Sequence, residues 1–196
     1  MSMVTLVSGG LDSTVMAVLA KEEGVKQYPL FINYGQLGKD KEFHACCTNL
    51  KRHGLPEPEV ASLGGYGSLL SSGLTDPNKH IVDDVFLPCR NLMFLTVGAA
   101  YAFQCGADRL SIGLLDEAFH LFPDQTKSFI SDTEALLSKS LGKSIKVIAP
   151  LMSFSKADVV AIAKAKNVVE TYSCHAGTET PCGVCVACRE YIGLEV

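Results

Sequence analysis

The chain reads as an α/β protein with a doubly wound, parallel five-stranded sheet and a small metal-binding segment at its C-terminal end. Three features point there. An apolar run, Val4 to Val7, breaks at once into Ser8-Gly9-Gly10 and then into a helical pattern, as a buried parallel strand feeding a helix does. Apolar runs and helix-length periodic segments alternate along the rest of the chain. Finally, Cys174, Cys182, Cys185 and Cys188 crowd the C-terminal end at metal-ligand spacing.

The elements follow in order. Val15, Met16, Val18 and Leu19 recur at helical spacing, so the first helix starts near Asp12, and Gly24 ends it. Tyr28 to Tyr34 is a second strand, centred on Leu30, Phe31 and Ile32. Gly35-Gln36 turns the chain into a helix from Lys39 to Arg52, and Val60 to Leu63 is a third strand. Gly64 to Pro88 carries Gly, Ser, Asp and Pro with little periodicity; it reads equally as a lid over a site or as a mobile linker. The helix that opens at Arg90 is apolar nearly all round, so it is buried. Arg109 to Gly113 is a fourth strand, Leu114 to Asp124 an aromatic-rich loop, Gln125 to Leu141 a helix and Ser144 to Ile148 a fifth strand. Ser155-Lys156-Ala157-Asp158 is a capping box that opens a helix to Lys166.

Composition narrows the partners. The chain has 196 residues, 47% of them hydrophobic and 19% charged, enough for a sizeable core. A net charge of -4, with no Lys/Arg run, argues against a large nucleic acid as partner, because phosphate binding needs a basic face. No stretch stays apolar for the ~20 residues that a membrane helix needs. The first core strand begins within a few residues of the start, which leaves no room for a signal peptide. Eight cysteines without such a signal imply a cytoplasmic protein whose thiols serve metal or redox chemistry rather than disulfides.

The chemistry starts in the first turn. Glycines at 9 and 10 let backbone amides approach a ligand closely, and the free N–H groups of the following helix face an anion. Ser8, Ser13 and Thr14 add hydroxyl donors. The Walker A Lys is missing, and so is the G-x-G-x-x-G of dinucleotide sites. A bland reading remains: a plain Gly-Gly turn with Asp12 as helix N-cap. Arg90 and Asn91 stand on the first turn of a buried helix, where a guanidinium implies an anion; Asp83 or Asp84 would be the structural partner, and a bound nucleotide or substrate the functional one. Lys156 reads as a solvated first-turn residue, but a cation there opposes the helix dipole, so a phosphate partner is a fair alternative. Cys182, Cys185 and Cys188 form C-x2-C-x2-C, and with Cys174 they suit tetrahedral Zn²⁺ at Zn–S of ~2.3 Å. An iron–sulfur cluster and disulfides are the alternatives; His175 could replace one thiolate, but four Cys suffice. Cys46, Cys47, Cys89 and Cys105 read as buried thiols.

The segment S-G-G-x-D-S resembles the PP-loop of ATP pyrophosphatases. Together with Tyr34-Gly35-Gln36, Leu74-Thr75-Asp76, Pro88-x-Arg90-Asn91, Ser155-Lys156-Ala157, Ser173-Cys174 and the terminal cysteines, it resembles the 7-cyano-7-deazaguanine synthase (QueC) family over nearly the whole chain. The resemblance implies an adenine nucleotide alpha-hydrolase-like fold, with residues 1–167 as the ATP-binding domain and 168–196 as a four-cysteine zinc tail packed on it. It implies that ATP, with Mg²⁺, is held by Ser8, Gly9, Gly10, Leu11, Asp12, Ser13 and Thr14, with adenine at the strand end near Asn33. Asp12, Ser13, Lys156 and Arg90 would be catalytic. Tyr34, Gln36, Arg90, Asn91, Phe119, Phe122 and Asp124 would hold a small deazapurine carboxylate, with ordinary packing the alternative for each Phe. The activity implied is adenylation of 7-carboxy-7-deazaguanine, then attack by ammonia to give an amide and finally a nitrile, in a homodimer binding structural Zn²⁺.

The departures fall on the acceptor side. Leu37-Gly38 follows Tyr-Gly-Gln where the family has Arg-His, and Ala118 to Thr126 replaces Asp-Tyr-Ser-Gly-Tyr-Pro-Asp-Cys-Arg. Leu115 stands where the family typically has Asn, and Cys89 where Gly or Ala is usual. This pattern raises a second expectation, a QueC-like ligase of bacterial antiviral defence that passes the activated deazaguanine to an amine of a partner protein. A PP-loop tRNA-modifying enzyme is a lesser alternative, and a nucleotide-holding zinc module without catalysis another.

Overall fold

The computed structural model describes residues 1–116, 118 and 121–194. Five strands form one sheet: β1 (Ser2–Leu6), β2 (Lys26–Asn33), β3 (Glu59–Ser62), β4 (Arg109–Ser111) and β5 (Lys146–Ile148). Their spatial order is β3-β2-β1-β4-β5, and every pairing is parallel. Val4 on the central strand pairs with Tyr28 on one side and Leu110 on the other. The chain winds one way from β1 to β3 and the other way from β4 to β5. The crevice beyond β1 and β4 is therefore where a ligand enters such a sheet.

Helices cover both faces. They are α1 (Leu11–Glu22), α2 (Lys39–Arg52), α3 (Gly64–Leu69), α4 (Arg90–Cys105), α5 (Lys127–Leu141), α6 (Lys156–Ala165) and α7 (Val186–Arg189). Side chains alternate along β1, so Val4 and Leu6 join the core under α4 and α5, while Val7 packs with Phe31, Ala17 and Leu50 under α1 and α2. α1 and α6 share a third cluster through Val15, Leu151 and Val159. α4 meets the sheet at Gly98, where an added Cβ would lie 2.6 Å from Leu110 Cδ1 and force that side chain to shift. Leu95 and Leu110, both fully buried at that contact, each contribute about 2–3 kcal/mol. Two of the polar side chains inside pair with each other across β1 and β2: Thr5 Oγ1 donates to Gln27 Oε1 at 2.8 Å, and Gln27 Nε2 donates to Ala17 O at 2.9 Å.

The sequence pattern misplaces some details. Gly64 to Pro88 is neither a bare lid nor a linker. Its first part is α3, Leu74, Val85 and Leu87 are buried in the main core, and the Tyr66 hydroxyl donates to Pro88 O. Gln125 ends a 3-10 turn, Pro123–Gln125, and Thr126 caps α5 by accepting from Phe129 N at 3.1 Å, so α5 starts at Lys127. Cys89 is exposed rather than buried; it carries the left-handed φ of 58° from which α4 starts. The capping box at α6 is present, with Ser155 Oγ accepting from Asp158 N and Asp158 Oδ2 from Ser155 N. Among the described residues, no helix is long and apolar enough to cross a membrane.

Candidate active site

A cavity of about 270 Å³ opens at the C-terminal ends of β1, β2 and β4. Its floor is the turn Ser8–Ser13. Gly9 has φ 79°, and a Cβ there would lie 2.0 Å from Glu42 O, so both the turn and its packing on α2 demand glycine. Ser13 Oγ accepts from Ser8 N at 3.1 Å and lies 3.0 Å from Ser8 Oγ. Thr14 Oγ1 donates to Gly10 O at 2.8 Å, so its hydroxyl proton braces the loop. α1 has no side-chain cap, and its first internal bond runs from Thr14 N to Gly10 O. The amides ahead of that bond have no intrahelical acceptor and are available to an anion. Leu11 faces the core, so only its backbone belongs to the cradle.

Asp12 is not the N-cap; Gly10 is. The Asp12 carboxylate binds Lys156 Nζ through both oxygens at 2.8 Å. Glu190, from the C-terminal segment, takes the same Nζ at 2.8 Å, and the Tyr191 ring lies 5.1 Å away. Lys156 is thus neither solvated nor at a bare helix end: its side chain is 11% exposed. Burial opposes its charge, but Asp12, Tyr191 and Glu190 more than offset this and hold its pKa above the ordinary lysine value.

The opposite wall is assembled from distant segments. Tyr34 is buried, which pushes its hydroxyl up to about 12. Gln36 is locked: its Oε1 accepts from Tyr34 N at 2.9 Å and its Nε2 donates to Glu42 Oε2 at 2.9 Å. Arg90 lies over the Phe94 ring at 5.8 Å and has no acidic partner among the described residues; Asp83 pairs with His80 instead. Asn91 and Asp124 hold each other, Asn91 N donating to Asp124 Oδ2 at 3.2 Å and Asn91 Nδ2 to Asp124 O at 3.0 Å. Asp124 therefore caps α4, and Asn91 alone of the pair lines the cavity. Phe122 lines it too, with its ring 5.1 Å from Phe86. Asn33 turns away: its carbonyl accepts from Leu63 N and its Oδ1 from Gly35 N, while Ile32 and Tyr34 supply the β2 wall. Phe119 lies outside the described residues.

Two residues on this wall were not selected from the sequence. Glu42 lies in no distinguishing motif, and the sequence offers His175 only as a possible replacement for one thiolate. In the fold both line the cavity. Burial raises the Glu42 carboxyl to about 7, against the opposing effects of the Gln36 bond and the Arg90 charge. Burial, with Arg90 nearby, lowers His175 to about 4, and its enclosed Nδ1 has no partner among the described residues.

The four terminal thiols converge: their sulfurs all lie within 4.8 Å of one another, and Cys182 Sγ is 3.9 Å from Cys188 Sγ. Tetrahedral Zn–S bonds of ~2.3 Å would space sulfurs at about 3.8 Å. Backbone N–H groups of Cys182, Cys185 and Cys188 donate to the sulfurs of Cys174, Cys182 and Cys185 at 3.3–3.4 Å, as thiolates require. The donor set fits a divalent metal. This segment is a wall of the cavity. Tyr172 N donates to Gly9 O at 2.9 Å, and His175, Ala187 and Glu190 line the space above the loop.

Comparison with known proteins then decides the family. A family model described as "Queuosine biosynthesis protein QueC" matches residues 2–191. The chain belongs to the QueC family. The 7-cyano-7-deazaguanine synthase of Acetivibrio thermocellus is 32% identical over 94% of this chain and 88% of that protein. Its counterpart from Campylobacter concisus is 34% identical over 95% and 90%. Among solved structures, the U34-tRNA thiolase NcsA of Methanococcus maripaludis, with its [4Fe-4S] cluster, aligns with a TM-score of 0.59 at 21% identity, over 88% of this chain and 59% of that one. NMN synthetase from Francisella tularensis aligns at 0.57 and 15%, over 91% and 68%. These two likenesses show the fold alone.

Proposed function

We propose that the protein uses ATP, as its Mg²⁺ complex, to adenylate the carboxylate of 7-carboxy-7-deazaguanine, and that ammonia converts the adenylate to an amide and then to 7-cyano-7-deazaguanine. The observation that carries this reading is a single cavity in a QueC-family chain, with backbone amides free for an anion on its floor and, on the opposite wall, a guanidinium without an acidic partner among the described residues. A carboxylate oxygen of the substrate attacks the α-phosphorus, and the bond to the bridging oxygen breaks. The loop amides, the α1 N-terminus and Ser8 take up the charge growing on pyrophosphate. Mg²⁺, when bound, neutralises part of that charge. Lys156, oriented by Asp12, supplies a cation at the loop, and Arg90 orients the carboxylate. Ammonia then attacks the acyl carbon, the bond to AMP breaks and the nitrogen loses a proton. A second adenylation, on the amide oxygen, lets AMP leave with that oxygen as the nitrogen sheds its remaining protons. Zn²⁺, held by Cys174, Cys182, Cys185 and Cys188, would fix the wall that carries His175 and Glu190. This is a cytoplasmic, small-molecule reaction.

Mass spectrometry of the protein with ATP, Mg²⁺ and 7-carboxy-7-deazaguanine, with and without ammonium, tests it. Free amide or nitrile, formed only with ammonium, is the expected result. AMP without free product, and a mass adduct on a protein, would instead support transfer to a protein amine, the reading raised by the substituted segment after β4. AMP formation only with tRNA present would support the tRNA-modifying alternative.

A further inference from the structure

Glu42 stands in an unusual position for a carboxylate. It lies on the first turn of α2, half-buried, and lines the cavity. Its Oε2 accepts from Gln36 Nε2 at 2.9 Å, and Gln36 is itself fixed by Tyr34 N and by Ile32 O at 3.3 Å. Among the described residues no donor reaches Oε1, and no Lys, Arg or His forms an ion pair with the carboxylate. Gly38 and Tyr172 close in beside it: a Cβ at Gly38 would lie 3.2 Å from Oε1 and 3.2 Å from the Tyr172 ring. The groups that face it are Arg90 from α4, Tyr34 from the end of β2 and Tyr172 from the C-terminal segment. Arg90 acts on it by charge alone, and burial raises its carboxyl. On the same wall His175 Nδ1 is enclosed without a partner. A carboxylate held by one neutral amide in a cavity is costly unless a ligand brings it further donors.

We infer that Glu42 reads the base edge of the substrate, accepting from the adjacent ring N–H and exocyclic amine of a 2-amino-4-oxo pyrimidine ring. This deepens the proposed function and rests on it. The two donors lie side by side on one edge of the heterocycle, spaced as a carboxylate's oxygens are, and Oε2 has a second lone pair beyond the one Gln36 uses. Adenine cannot satisfy Glu42 in this way, because its ring nitrogen beside the amine is an acceptor. The same side chain therefore keeps the nucleotide's base out of the substrate end. Arg90 is then left for the substrate carboxylate, which explains why the two opposite charges share a wall without closing on each other.

The test is calorimetric binding of 7-carboxy-7-deazaguanine and of its analogue lacking the 2-amino group, to the wild-type protein and to Glu42→Gln. Wild type should prefer the amino-bearing ligand by about 10- to 100-fold, the loss expected when a charged hydrogen bond goes unmade. Glu42→Gln should reduce that preference to about threefold or less while ATP binds as before. Should that variant not fold, Glu42→Asp, which draws the oxygens back by one methylene, is measured with the same expectation. A preference retained in the variant overturns the inference. So does an equal loss for both ligands, which would make Glu42 a packing wall. Unchanged binding of both ligands with amide formation lost also overturns it, and makes Glu42 a proton acceptor in the ammonia step. Wild type that binds both ligands equally overturns the role of Glu42 alone, whereas wild type that binds neither overturns the substrate reading beneath it.

Discussion

The floor and the wall of the cavity are built on opposite plans. On the floor, Ser8, Gly10, Ser13 and Thr14 bond to one another, and Asp12 holds Lys156 through both oxygens. Its polar side chains are satisfied, and what it offers a ligand is rigid backbone N–H. On the wall, Arg90 has no acidic partner among the described residues, Glu42 has one neutral donor and His175 Nδ1 has none. In the proposed reaction the floor serves one invariant group, the polyphosphate of ATP. The wall carries hydrogen-bonding capacity unmet among the described residues, and on the proposed reading it is the part that selects the substrate.

That contrast can be broken from either side. The largest effect should come from the metal site that supports the wall. Cys185→Ser removes a fully buried member of the four-thiol group proposed to hold Zn²⁺, and structural Zn²⁺ sites contribute about 10–16 kcal/mol to folding. The variant should lose zinc by elemental analysis, together with solubility and activity; a stable, zinc-free, active protein would refute the structural role. Next comes the floor. Asp12→Ala leaves Lys156 with Glu190 alone, so the unfolding temperature should drop, and at temperatures where the variant is still folded ATP turnover should fall by about 100- to 1000-fold. Turnover near normal would remove the loop from the chemistry. Arg90→Ala should lower kcat/KM for the deazaguanine carboxylate by about 10- to 100-fold and leave the KM for ATP unchanged, and Arg90→Lys should not restore it if the contact is bidentate. An equal loss for both substrates would place Arg90 in the scaffold.

The smallest effect is on stability. The Glu42 carboxyl rises from 4.5 unfolded to about 7 folded, so the folded state holds its proton more tightly. Stability is therefore lost as pH rises through that window and is flat above it. Relative to Glu42→Gln, the ligand-free protein should lose about 1–3 kcal/mol between the two pKa values. Denaturant titrations at pH 5 and pH 8, run on both proteins, measure it. Equal pH profiles would mean that Glu42 is solvated.

The sequence exposes the floor because its groups are contiguous. A strand, two glycines and a helix start fall within one short run, and their chemistry follows from that order. The cysteine cluster is legible for the same reason, as is the alternation that builds the sheet. The wall is not, because Glu42, Arg90 and His175 are brought together only by the packing of α2, α4 and the C-terminal segment. Asp124 shows the converse: its place in a loop near the site suggests a ligand contact, yet it caps α4 through Asn91. Lys156 was marked as unusual by its place at a helix start, but its partners, Asp12 and Glu190, come from opposite ends of the chain.

The adenylation step itself can be observed by exchange of labelled pyrophosphate into ATP. The floor and wall together predict exchange that needs 7-carboxy-7-deazaguanine, proceeds without ammonium and is lost in Asp12→Ala. Exchange that ignores the deazaguanine, or substrate-dependent release of ADP and phosphate in its place, would contradict a carboxylate activated at the α-phosphate in this cavity.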